Sequence, residues 1–186
     1  DNVCGDGIIE CTEQCDAGSA LNALHPNFGG CENDPGYDRI CVNGPPEYCD
    51  GNIDIPDANL ASALRNALGL GDGDPIQFSA TVQDLNLSNQ GITDLTGLSC
   101  FVHLRELNLY GNNITTLTDF DYLISLRTLE LGSNQVSDLT PLAGLTDLET
   151  LTLQSNQVTS VLPLAGLTNL RYLNLRSNLL TSIQPL

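Results

Sequence analysis

The chain has 186 residues and a formal net charge of −17, with 23 acidic residues against six arginines and no lysine, methionine or tryptophan. Nucleic acid and anionic membranes both call for a basic surface, so this balance excludes them as partners, and no apolar run is long enough for membrane insertion. Hydrophobic residues reach 41 % while aromatics are only 5 %, which points to many small aliphatic layers rather than one aromatic-rich core.

Residues 1–49 carry Cys4, Cys11, Cys15, Cys31, Cys41 and Cys49 among frequent turn signals such as Gly29-Gly30 and Asp34-Pro35-Gly36. A short segment so poor in apolar residues reads as a disulfide-rich module made in an oxidising compartment, with cross-links standing in for a core. Zinc is the rival reading, since only three residues separate Cys11 from Cys15, yet no second close pair follows and His25 stands alone. Six cysteines allow 15 pairings, and Cys100 makes the total odd. Either Cys100 reaches back to a cysteine such as Cys49, or one thiol is left over. The run Cys4-Gly5-Asp6-Gly7, followed by Glu13-Gln14-Cys15-Asp16-Ala17-Gly18 and the later Cys31 and Cys41, resembles the cysteine-rich repeats of myxobacterial and other bacterial surface proteins.

Residues 50–81 are expected to form a helical cap. Pro56 and Asp57 suit the first turn of a helix, through fixed φ and the positive end of the dipole. Leu60, Leu64, Ala67 and Leu68 then make one apolar stripe, and Gly69 supplies a stop.

Residues 82–186 repeat. The motif Leu85-Asn86-Leu87 returns at Leu107-Asn108-Leu109, Leu129-Glu130-Leu131, Leu151-Thr152-Leu153 and Leu173-Asn174-Leu175, every 22 residues without insertion. Three positions after the second Leu stand Gln90, Asn112, Asn134, Asn156 and Asn178. This is the leucine-rich-repeat signature, and it predicts an α/β solenoid: a right-handed array of five repeats with short parallel strands and 3₁₀ return arms. Repeats three and four, such as Gln135-Val136-Ser137-Asp138-Leu139-Thr140-Pro141-Leu142-Ala143-Gly144-Leu145-Thr146-Asp147-Leu148, resemble the 22-residue repeats of the internalins and related bacterial surface proteins, and the Ile55-to-Leu60 segment resembles the cap that precedes such arrays. The resemblance implies a secreted or cell-surface protein that binds a protein ligand on its concave face.

Strand alternation sends the residues flanking the paired leucines outward in columns. The candidate ligand-binding residues there are Glu106, Asn108, Tyr110, Glu130, Gln154, Tyr172, Asn174 and Arg176, with the tyrosines and Arg176 foremost, because aromatics and arginine dominate interface hot spots. The only cofactor raised is Ca²⁺, through Asp6, Glu13 and Asp16 in the cysteine-rich segment and Asp72 and Asp74 in a Gly-rich loop. Neither cluster completes a 12-residue EF-hand pattern, since Gly71-Asp72-Gly73-Asp74 lacks a downstream Glu. No nucleophile, phosphate or zinc-helix motif is present, so catalysis is not expected. A second expectation concerns the carboxyl end, where Leu173, Leu175, Leu180, Ile183 and Leu186 form an uncovered apolar end-face. Either the array continues beyond Leu186 and covers that face, or further copies of the chain stack on it head-to-tail and build a filament.

Overall fold

The structure is a computed structural model that describes residue 49, residues 52–77 and residues 81–182. Cys4, Cys11, Cys15, Cys31 and Cys41, the acidic residues Asp6, Glu13 and Asp16, and the end positions Ile183 and Leu186 lie outside the described residues.

Five three-residue strands, β1 (Asp84–Asn86), β2 (Glu106–Asn108), β3 (Thr128–Glu130), β4 (Thr150–Thr152) and β5 (Tyr172–Asn174), form one parallel sheet in sequence order. Each residue pairs with its counterpart 22 positions on, as Leu85 with Leu107 and Leu107 with Leu129. In the first four strands the central leucine is buried, and both flanking residues reach solvent. A one-residue slip would turn every leucine outward, so burial itself fixes the register.

After each strand the chain turns through a left-handed residue: Asn89, Gly111, Ser133, Ser155 and Ser177, with φ between 56° and 72°. After the last four of these turns the next side chain, an asparagine, is aimed inward, whereas Gln90 after the first is exposed and donates back to Ser88 O. Asn134 shows what the inward side chain does. Its amide donates to Leu109 O at 2.9 Å and Leu131 O at 3.0 Å, while its oxygen accepts from Ile114 N–H at 3.0 Å. Asn112, Asn156 and Asn178 repeat the pattern, each bonding its own repeat to the one before. These backbone groups are out of reach of water, and an asparagine is short enough to serve them and carries both donor and acceptor.

The return arms are tight because their apolar residues recur every third position. Leu139, Leu142, Leu145 and Leu148 are all buried, and the N–H groups of Leu142, Leu145 and Leu148 each donate to the carbonyl three residues earlier, at 2.9 to 3.1 Å. A helix with three residues per turn keeps such a row on one side. Pro141 and Pro163 start two of these segments.

The cap contains helix α1 (Ala58–Leu68). It differs from the expectation in two respects. Asp57 is not in the first turn but caps it, its Oδ1 accepting the N–H groups of Asn59 and Leu60 at 2.8 and 2.9 Å. The buried face is Leu60, Ala61, Ala63 and Leu64, while Ala67 is exposed. Leu68, the last of the expected stripe, is half-buried against the core, so Ala67 alone of that stripe faces solvent. Gly69 closes it at φ 69°.

The seam between cap and first repeat is built from single contacts. Cys49 and Cys100 form a disulfide across 51 residues of sequence, both ends buried. The other oxygen of Asp57 accepts from Thr93 N–H, Thr93 Oγ1 and Asp94 N–H at 2.8 to 3.0 Å. Asn59 donates to Gly91 O. At Gly97, with φ +96°, a Cβ would run into Ile55 and lie 3.0 Å from Asp54 O, so only glycine lets the cap segment lie this close.

Candidate functional site

The outward columns of the sheet form a continuous polar face. Tyr110 and Tyr172 stand 38 % and 54 % exposed on it. Glu106 and Arg176 are exposed, and Asn108, Glu130, Gln154 and Asn174 are half-buried. The sheet therefore brings all eight candidates onto one surface spanning β2 to β5. The asparagines at the central outward positions are partly committed: Asn86, Asn108 and Asn174 each use Oδ1 to accept the N–H two residues on, at Ser88, Tyr110 and Arg176. Their effect is to hold the next outward residue, including Tyr110 and Arg176, in a fixed direction.

The charge of this face is uneven along the array. Asp84 and Glu106 lie in register on neighbouring strands, and Asn108 pairs with Glu130, so the charged residues at the outward positions of the first three rungs are all acids. Like charges directly opposite one another oppose pairing. Arg176 is the charged residue among the outward positions of the last two rungs.

A further column was missed in the sequence because it precedes the paired leucines. Arg105, Arg127, Glu149 and Arg171 stand one residue before their strands at the same 22-residue spacing, which was the signal available. Glu149 lies 3.9 Å from Arg127 and 3.6 Å from Arg171, and the three line a shallow polar depression of about 180 Å³ with Asp147 and Asn169. Exposed pairs of this kind contribute little to stability.

The remaining candidates fall elsewhere. Asp72 and Asp74 sit in the loop after α1, where the Asp74 carboxylate accepts from Gly71 N–H at 2.7 Å and its carbonyl from Arg65 Nε at 2.8 Å. That carboxylate closes its own turn, and among the described residues no three His, Cys, Asp or Glu gather as a metal set. Leu173, Leu175 and Leu180 pack against the core but are only partly buried, unlike the same positions in earlier repeats. Asp57 is the one strongly shifted acid described. Burial alone would raise it, but the N–H groups of Leu60, Thr93 and Asp94 and the Thr93 hydroxyl outweigh burial and bring it from 3.8 to about 2.

A sequence profile described as Leucine Rich repeats (2 copies) matches residues 81–122, 124–166 and 146–186. Among curated proteins none matches. Of solved structures, internalin C2 of Listeria monocytogenes is 34 % identical with a TM-score of 0.53, over 68 % of this chain and 67 % of its own. The functional domain of InlJ from the same species, described as including a cysteine ladder, is 34 % identical with a TM-score of 0.65, over 70 % of this chain and 29 % of its own. The internalin InlF, at 24 % identity and a TM-score of 0.59 over 70 % of this chain, shares the fold. The chain spans 46 % of the length of InlF and 29 % of that of InlJ.

Proposed function

The chain belongs to the leucine-rich-repeat family, and from that premise we propose that it is a secreted or cell-surface module whose concave face docks a protein ligand. The observation that carries this reading is the exposure of Tyr110 and Tyr172 on the sheet, at positions where other rungs place Ser88, Gly132 or Thr150. Large amphipathic rings held by a rigid sheet supply contact area at small entropic cost, and such residues dominate binding energy in protein interfaces. The buried disulfide supports an oxidising compartment. No helix among the described residues is long and apolar enough to cross a membrane.

A photo-crosslinking residue placed at Tyr172 is expected to capture a protein from the surface of intact cells. The same residue placed at Leu162, exposed on a return arm, is expected to capture none. Against the captured protein, Tyr110→Ala and Tyr172→Ala should each weaken binding by about 1–2 kcal/mol. Unchanged affinity in the double variant would move the interface off the sheet.

A further inference from the structure

The third rung differs from the others at the last outward position. Ser88, Tyr110, Gln154 and Arg176 carry side chains there, and Gly132 carries none. Its backbone does not demand glycine, for Gly132 lies outside the left-handed region that Gly97 and Gly111 occupy. The gap is filled by the neighbouring rung. The Gln154 amide folds down onto Gly132, so that a Cβ there would meet Nε2 and lie 2.5 Å from Cδ and 2.9 Å from Oε1. In that position Oε1 is buried and accepts no hydrogen bond, the only such side-chain atom among the described residues. Extended into water the same oxygen would be satisfied, so the folded amide holds an acceptor in reserve.

The surroundings say what kind of donor fits. Glu130 precedes Gly132 by two residues on the same face, roughly 7 Å away along the strand. Its cross-strand neighbours Asn108 and Thr152 are neutral, and Glu106 lies farther off in line with Thr128. The nearest cation, Arg176, stands on the far side of Gln154 from Gly132. Tyr110 stands one rung away, about 4.8 Å between strands, with its ring exposed. An acceptor, a carboxylate and an aromatic ring around a position filled only by the end of a flexible side chain together match a cation with several N–H donors.

We propose that the notch over Gly132, latched by Gln154, is the subsite that takes an arginine or lysine side chain of the protein partner. This deepens the concave-face reading and rests on it. The incoming side chain lifts the Gln154 amide off Gly132, donates to Oε1 and to the Glu130 carboxylate, and lies against Tyr110.

The test uses small probes, so it succeeds or fails independently of partner capture at Tyr172. N-acetyl-argininamide and N-acetyl-lysinamide are titrated into the ¹⁵N-labelled full chain, with N-acetyl-glutaminamide as the neutral control. The expected result is saturable shifts of the Gln154 side-chain amide and the Gly132 N–H with a cationic probe and none with the control. Gly132→Ala, which fills the notch without straining the backbone, should abolish saturation while leaving the remaining spectrum in place. Glu130→Gln should weaken the probe roughly tenfold, as loss of a hydrogen bond to a charged group does, and Gln154→Ala should weaken it in the same sense. Shifts that never saturate, that persist in Gly132→Ala, or that acetate produces in place of the cations would overturn the proposal. Failure here with crosslinking intact at Tyr172 would remove the subsite and leave the docking face standing.

Discussion

In the interior of the array, Asn134 ties three backbone groups of two repeats together, and Asn112, Asn156 and Asn178 do the same with the same atoms. At the amino-terminal seam nothing repeats. A disulfide at Cys100, a shared carboxylate at Asp57 and a bare backbone at Gly97 each act once. The interior joins like to like, so one solution copied every 22 residues suffices. The seam joins a helix to a stack of strands, whose spacings do not match, and needs a separate device for each mismatch. Stability in a solenoid is close to a sum of repeat and nearest-neighbour terms, so the two regions should respond to damage differently.

The largest effect expected is at the seam. Replacing both Cys49 and Cys100 by Ala removes a cross-link closing a 51-residue span, worth about 4 kcal/mol on loop-entropy grounds. Hydrogen exchange should then show α1 and the first return arm opening ahead of the interior rungs. If protection falls evenly along the array instead, the seam is not a separate unit.

Next comes the interior. Asn134→Ala leaves Leu109 O, Leu131 O and Ile114 N–H without their partner, at a cost of about 3 kcal/mol for a buried set of this kind. Denaturant unfolding should become less cooperative, because the weakened junction lies in the middle of the stack. A single sharp transition of unchanged slope would argue against nearest-neighbour behaviour.

The smallest effect is pH-dependent. Asp57 has a folded pKa of about 2 against an ordinary 3.8, so its charged form is favoured by folding. Its contribution is complete above about pH 4 and is lost as pH falls from there toward 2. Asp57→Asn keeps an oxygen for the helix cap but cannot accept at both ends. The stability difference from wild type, on the order of 1–2 kcal/mol near neutrality, should shrink across that window in acid denaturation curves. A constant difference from pH 5 to 2 would mean that the seam does not depend on this carboxylate.

The contrast also explains what could be read from the sequence. Periodic features announce themselves four or five times, so the strands, the inward leucines, the Asn turn and the 3₁₀ arms were all legible. Single features were not. Asp57 reads as a helix-start residue, but its second set of partners lies 36 and 37 residues away, a distance no local pattern encodes. Cys100 had two readings until packing placed it beside Cys49. The Arg105, Arg127 and Arg171 column was periodic yet lay just outside the frame drawn by the leucines. Within the candidate face, the columns followed from alternation, whereas the folding of Gln154 onto Gly132 depends on which neighbour is missing a side chain.

The disulfide has a mechanical meaning as well. A pull applied to the chain ahead of Cys49, against an anchor farther along the array, passes through the covalent bridge straight into Cys100. The 50 intervening residues, α1 among them, are bypassed by the load. Tension that would otherwise peel the cap from its end reaches the first return arm, where Leu98, Cys100 and Phe101 are buried, and the cap stays seated while the array bears the strain.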